Sequence, residues 1–168
     1  MSITPIVEYA ELEAYDTENS TNQYALWGPD YHKGHMYWKG VTDRLKEATG
    51  LYVFYDSLTK PLYVGIAPDR KIWIRANESY NVYRERNGWI LTADHPANQV
   101  AYNKNKVRRL RREGFSLADV ATYFSAYEVS SDLVYGLEAF AIRAFGATLL
   151  NTKMEGNGGL GLNNFAEE

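Results

Sequence analysis

Leu51-Tyr52-Val53-Phe54-Tyr55-Asp56, then Ser57–Pro61, then Leu62-Tyr63-Val64-Gly65-Ile66-Ala67: this stretch decides how the chain folds. Both runs are rich in aromatic and β-branched residues, and turn formers separate them, so they read as a β-hairpin. Alternate residues of a strand face opposite sides. One face then carries Leu51, Val53 and Tyr55 with Leu62, Val64 and Ile66. The other carries Tyr52, Phe54 and Asp56 with Tyr63, Gly65 and Ala67. If the aliphatic faces enter one core, Tyr52, Tyr63 and Gly65 share the opposite face. A five-residue loop pairing Asp56 with Leu62 would split that pattern, so an even loop or a bulge is expected. Two tyrosines on one strand face are also ordinary, since the ring is apolar with a wettable tip.

Outward from the hairpin, Val41–Ala48 reads as a short helix, with Gly50 at its C′ position. A helix is expected within Arg70–Tyr80. Residues 81–103 are irregular, with turn signals at Asn87-Gly88 and His95-Pro96. A basic helix is expected around Asn103–Arg112, ending at Gly114. Ser116-x-x-Asp119 caps another short turn. Tyr123–Val129 reads as a third strand, and Leu133–Phe145 as a helix that Gly146 ends. Gly156, Gly158, Gly159 and Gly161 mark a loose tail. The order is β-β-α, an insertion, then β-α and a short final strand. The expected class is α+β: a small central mixed three-stranded sheet flanked by helices.

Composition narrows the chemistry. The 168 residues are 45% apolar and 23% charged, a globular balance. Cysteine is absent, which excludes disulfides, a thiol nucleophile and thiolate metal sites. No run reaches the roughly 18 apolar residues of a membrane span. Met1–Glu18 is acidic and lacks the n- and h-regions of a signal peptide, so a cytoplasmic location is expected. The net charge of −3 is low for a protein that coats nucleic acid, but a local patch is what binds phosphate. Such a patch exists: six of the 18 basic residues are Lys104, Lys106, Arg108, Arg109, Arg111 and Arg112. Five of the 21 acidic residues precede position 20.

Leu137, Phe140, Ala141, Ala144 and Phe145 follow helical spacing, and Glu138 sits one position off that stripe. Arg143 is five residues on and points elsewhere. The carboxylate therefore has no obvious partner in its own helix. A buried charge must be paired, be metal-bound or lose its ionisation. The plainer reading is a first-turns glutamate favoured by the helix dipole.

These residues together resemble the GIY-YIG nuclease superfamily. Gly50-Leu51-Tyr52 matches its first motif and Leu62-Tyr63-Val64-Gly65 its second, with the tyrosines eleven residues apart. The family then has an arginine on its first helix, a glutamate on a later one and an asparagine soon after. Arg75, Glu138 and Asn151 fill those places, and the resemblance spans residues 49–153. It implies hydrolysis of a DNA phosphodiester with one divalent metal, magnesium or alternatively manganese. Glu138 would ligate that metal, since a hard cation takes a carboxylate and keeps its waters. Tyr63 would orient the attacking water or accept its proton. A free phenol titrates near 10, so that role needs the metal and neighbouring cations. Tyr52 would join the same network. Arg75 would clamp the scissile phosphate, and Asn151 would hold the network in position. Arg70, after Pro68-Asp69, is the alternative arginine if the helix begins early. Gly65, Arg70, Tyr80, Lys104, Arg108, Arg109 and Arg112 are the expected substrate-binding residues.

The chain departs from the family at two points. Ile66 stands where excision-repair members have a lysine, and Ser79 where homing-type members have a histidine. The expected organisation is an extension over 1–48 packed on the core, a nuclease-like domain over 49–153 with an insertion at about 81–115, and a flexible tail over 154–168. The basic cluster is either a DNA-backbone contact or a solvated helix face. His32, His35 and His95 read as surface histidines rather than a metal site. Trp27, Tyr31, Tyr37 and Trp38 either stack on bases or pack the extension down. The functional expectation is a metal-dependent DNA endonuclease from a phage, mobile-element, restriction or repair setting. The rivals are a catalytically weak or inactive module of the same fold that binds DNA or a protein partner, and an inhibitor or adaptor that meets a protein partner through the acidic, aromatic N-terminal segment. The oligomeric state is left open.

Overall fold

The hairpin forms as β4 (Gly50–Tyr55) and β5 (Pro61–Ala67). Tyr52 stands opposite Gly65, Val53 opposite Val64 and Phe54 opposite Tyr63. A bulge after Phe54 then brings Tyr55 opposite Pro61. It absorbs the odd turn and keeps Tyr52, Tyr63 and Gly65 on one face, as the residue pattern required. The Asp56 carboxylate closes the turn, accepting from the backbone N–H of Leu58 and of Lys60 at 2.8 Å each. Leu62 is displaced by the same bulge: it packs with the Tyr52 cluster instead of the aliphatic face.

The computed structural model describes residues 3–18, 23–31, 34–84, 90–93, 110–146 and 149–151. β8 (Tyr123–Val129) pairs with β4, and β1 (Ile3–Glu11) pairs with β8. The sheet therefore has four strands in the order β1-β8-β4-β5, every pair antiparallel. This corrects the three-stranded mixed sheet expected from the sequence. The fourth strand comes from the N-terminal extension. Its register shifts between Pro5 and Val7 and again between Val7 and Ala10, leaving only Val7 and Ala10 buried. A strand interrupted in this way loses the period of two by which strands are read.

Helices cover both faces of the sheet. On the Tyr52 face, α1 (Met36–Glu47), α2 (Ile72–Asn81) and α3 (Leu117–Val120) bring Leu45, Ile72, Ala76 and Leu117 against Tyr52, Phe54 and Phe124. On the other, α4 (Ser131–Phe145) sets Val134, Leu137, Ala141 and Ile142 against Leu51, Val53, Val64 and Ile66. Each large side chain fully buried this way contributes about 1.5–3 kcal/mol. Gly146 ends α4 with a φ of +63°. Gly50 does not end α1, which stops at Glu47. It opens β4, with φ +153°, where a Cβ would stand 2.1 Å from the Tyr127 carbonyl oxygen. Only glycine allows that approach of β4 to β8.

The extension is stitched to the core by aromatic rings and by two asparagines. Trp27 lies 5.8 Å from both Trp38 and Phe124, and 5.9 Å from Tyr31, ring to ring. Its indole N–H donates to the Glu11 carbonyl at 2.8 Å. These rings pack the extension down; Tyr37 alone of the four expected aromatics is well exposed. Asn77 and Asn81, one turn apart on α2, accept from the backbone N–H of Leu26 at 3.1 Å and of Tyr24 at 2.8 Å. They hold the small ribbon of β2 (Tyr15–Asp16) and β3 (Tyr24–Ala25).

The expected basic helix is corrected where it is described. Leu110–Glu113 is a strand, β7, antiparallel to β6 (Ile90–Ala93). Its helical reading rested on two apolar residues, Val107 and Leu110, and an available partner strand outweighs so weak a periodicity. Arg111 and Arg112 lie on this strand. Lys104, Lys106, Arg108 and Arg109 lie outside the described residues, as do His32 and His95. α3 has its expected cap: Asp119 accepts from the Ser116 backbone N–H at 2.7 Å and from its hydroxyl at 3.0 Å.

Candidate active site

Tyr52 is fully buried, and its hydroxyl is satisfied from α2. It donates to the Arg75 carbonyl at 3.2 Å. Having one proton, it must then accept at 2.8 Å from the Ser79 hydroxyl. The departure at Ser79 is therefore a working contact. Gly65 makes room for the ring: a Cβ there would come within 2.3 Å of Tyr52 Cζ. Burial above all, then the nearby Tyr63, pushes the Tyr52 phenol well above its ordinary value. The phenol is thus held in its protonated, hydrogen-bonded form between β4 and α2.

Tyr63, half-buried, sits 6.4 Å from the Tyr52 ring. Of the two motif tyrosines it is the one that keeps some exposure to solvent. β5 is an edge strand, whose outward backbone groups need partners. The chain after α4 supplies them on either side of Tyr63. Leu150 donates its N–H to the Leu62 carbonyl at 2.7 Å. The Asn151 side chain accepts from the Val64 N–H at 3.0 Å and donates to the Val64 carbonyl at 2.6 Å. Asn151 thus fixes the backbone that carries Tyr63.

Arg75 extends from α2 and is about one-third exposed, at 37%. Its guanidinium contacts Glu78 at 3.0 Å. Arg70 reaches the same carboxylate with both terminal nitrogens, Nη1 at 3.1 Å. Burial works against the Arg75 charge, but the Glu78 hydrogen bond and the nearby Tyr52 and Tyr63 raise its pKa overall. Arg75 is therefore the arginine beside the tyrosines, while Arg70 joins it through Glu78.

Arg84 is the basic residue that the sequence reading missed. It is 8% exposed, with its guanidinium 5.3 Å from the centre of the Tyr63 ring. It donates to the Val82 carbonyl at 2.7 Å, and its backbone bridges to Phe115. Burial lowers its pKa, with Tyr63 and Tyr52 opposing. An arginine outside any motif, at the start of an irregular stretch, carries no sequence signal.

Glu138 is buried on α4, 4% exposed, with Leu137 and Ala141 beside it facing the sheet. Its charge lies close enough to Tyr52 to add to the upward push on that phenol. Among the described residues no three His, Cys, Asp or Glu side chains gather. A metal here would rest on Glu138 and water. Magnesium fits that donor set, since it keeps several waters and takes one or two carboxylates with a substrate phosphate.

Tyr80 corrects an expectation. It is 1% exposed and stacks on Phe54 at 5.6 Å, so it belongs to the core and cannot contact a substrate. Burial raises its pKa to about 12. His35 is exposed at the start of α1. Among the described residues no helix is long and apolar enough to cross a membrane. Compared with known proteins, the chain matches no family model, no curated protein and no solved structure.

Proposed function

We propose that the protein is a metal-dependent DNA endonuclease of the GIY-YIG type. One observation carries the reading: beside the buried Tyr52 lie Arg75 of α2 and the partly buried Tyr63 of β5, and the buried Glu138, although α4 covers the opposite face of the sheet, is near enough for its charge to act on the Tyr52 phenol. Such a set suits phosphodiester hydrolysis, which needs a metal ligand, a cation on the phosphate and a group on the attacking water.

A magnesium ion held by Glu138 would supply Lewis-acid polarisation of the phosphate and a more acidic bound water. Arg75 binds the scissile phosphate and offsets the charge that develops on its oxygens. Tyr63 hydrogen-bonds and orients the attacking water, whose proton passes to bulk solvent, with Arg84 and Arg75 as the nearby cations. Tyr52 holds α2 to the sheet, so that Arg75 stays beside Tyr63. Asn151 keeps Tyr63 at a fixed height on the edge strand. DNA-backbone contacts from Lys104, Arg108, Arg109 and Arg112 belong to the same proposal.

The second reading, a DNA-binding module without chemistry, draws on Ile66. Its side chain is buried against α4, so it offers no cation to a substrate. Supercoiled plasmid with magnesium separates the two readings. Nicking or linearisation is expected, lost with EDTA and lost in Glu138→Gln. Folded protein that leaves plasmid intact with magnesium and with manganese overturns the endonuclease reading in favour of the module.

A further inference from the structure

Two arginines share one carboxylate at the edge of the site. Glu78 Oε2 contacts Arg75 at 3.0 Å and Arg70 at 3.1 Å, while Oε1 contacts the second terminal nitrogen of Arg70. The three side chains come from the loop after β5 and from two positions one turn apart on α2. All are partly open to solvent: Arg70 at 52%, Arg75 at 37% and Glu78 at 32%. Burial works to raise the Glu78 pKa, but the two guanidinium groups outweigh it and hold the carboxyl below its ordinary value. The carboxylate is therefore charged at neutral pH and occupies the donors of both arginines.

Two guanidinium groups converging on two anionic oxygens form a fork that also suits a phosphodiester. We propose that Glu78 is an internal stand-in for a DNA backbone phosphate: substrate binding exchanges its carboxylate for the phosphate on Arg70 and Arg75. The proposal rests on the reading of the protein as a DNA-binding nuclease and adds a gate to it. Arg75 in the free protein is neutralised by its own helix. A phosphate that displaces Glu78 gains both arginines at once, whereas an anion reaching only one of them must compete with the carboxylate. Since exposed pairs of this kind are individually weak, the exchange is readily reversible. It sets a threshold for binding and does not block it.

The plainer alternative is a surface salt bridge that only ties the β5–α2 loop to α2. Affinity separates the two. Binding of a short fluorescent duplex is measured by anisotropy in EDTA, so that no cleavage enters. Glu78→Gln keeps the side-chain shape and removes the charge, and is expected to tighten binding about three- to tenfold. The gain should vanish when Arg70→Met and Arg75→Met are also present. Asp43→Asn likewise removes one negative charge and frees a single cation, Lys39, which pairs with Asp43 on α1 at 2.9 Å, and should give no such gain. A gain of equal size in Asp43→Asn, or one that survives loss of the arginines, is a general charge effect and overturns the proposal. So does unchanged or weaker binding by Glu78→Gln. In wild-type protein, the Arg70 and Arg75 side-chain N–H signals in NMR spectra should shift together on adding duplex; unmoved signals overturn the gate without any variant. Tighter binding by Glu78→Gln in a protein that never cleaves plasmid leaves the gate standing and removes the nuclease reading alone.

Discussion

The contact between Tyr52 and Gly65 shows why a motif glycine sits where it does. Its reason is the cross-strand ring and not an unusual turn. Adding a methyl at 65 forces an atom to 2.3 Å from Tyr52 Cζ. Gly65→Ala should destabilise the protein by about 1–3 kcal/mol, the usual scale of overpacking, read as a lower urea midpoint. Tyr52→Phe tests the polar end of the same ring. It leaves the Ser79 hydroxyl and the Arg75 carbonyl without their shared partner, at a cost of about 1–3 kcal/mol. A melting temperature equal to that of the wild type would show that water replaces the phenol. At this scale the sequence pointed to Tyr52, Gly65 and Arg75 by their motifs. It marked Ser79 only as a departure from the family and did not point to Glu78 or Arg84; the Ser79 partner is 27 residues away and the Arg70 partner of Glu78 is 8 away.

At the level of elements, the edge of β5 depends on a segment far along the chain. Asn151 behaves as a short extra strand, pairing through its side-chain amide with both backbone groups of Val64. Asn151→Ala should expose those groups, so the Val64 amide should exchange with deuterium much faster than in wild type. Stability should fall by about 1–3 kcal/mol. If exchange at Val64 is unchanged, the asparagine is not what protects the edge. Elements with strong local signals matched their reading closely. Tyr123–Val129 is β8, residue for residue, and α4 spans Ser131–Phe145 with Gly146 as its cap. Elements formed only by pairing did not: β1 carries two register shifts, and β7 is a strand because β6 lies beside it.

For the whole molecule, stability is sensitive to pH at two extremes: the buried tyrosines act at the alkaline end and Glu78, held by two arginines, at the acid end. Tyr80, with a folded pKa of about 12, and Tyr52, raised further, keep their protons longer in the folded state than in the unfolded one. Unfolded tyrosines titrate near 10, so stability should fall as pH rises from about 10 to 12. Tyr80→Phe should flatten that fall, measured by urea unfolding at a series of pH values. Glu78 acts in the opposite sense. Its folded pKa lies below 4.5, so its contribution is present above that value and is lost as pH drops below it. Because Glu78 is partly exposed, the acid effect should be small beside the alkaline one.

By itself the sequence determined the α+β class, the hairpin with its shared tyrosine face and the need for either an even loop or a bulge; the structure chose the bulge. Each follows from a local rule: residue propensity, the two-residue period of a strand, and the length of the turn. It also singled out Glu138, because a carboxylate on an apolar helix stands out from its neighbours. Only the tertiary structure decided the fourth strand, the burial of Tyr52 and Tyr80, the capture of Arg70 and Arg75 by Glu78, and the presence of Arg84 over Tyr63. These depend on which segments meet across the fold, and no local period or propensity records that meeting.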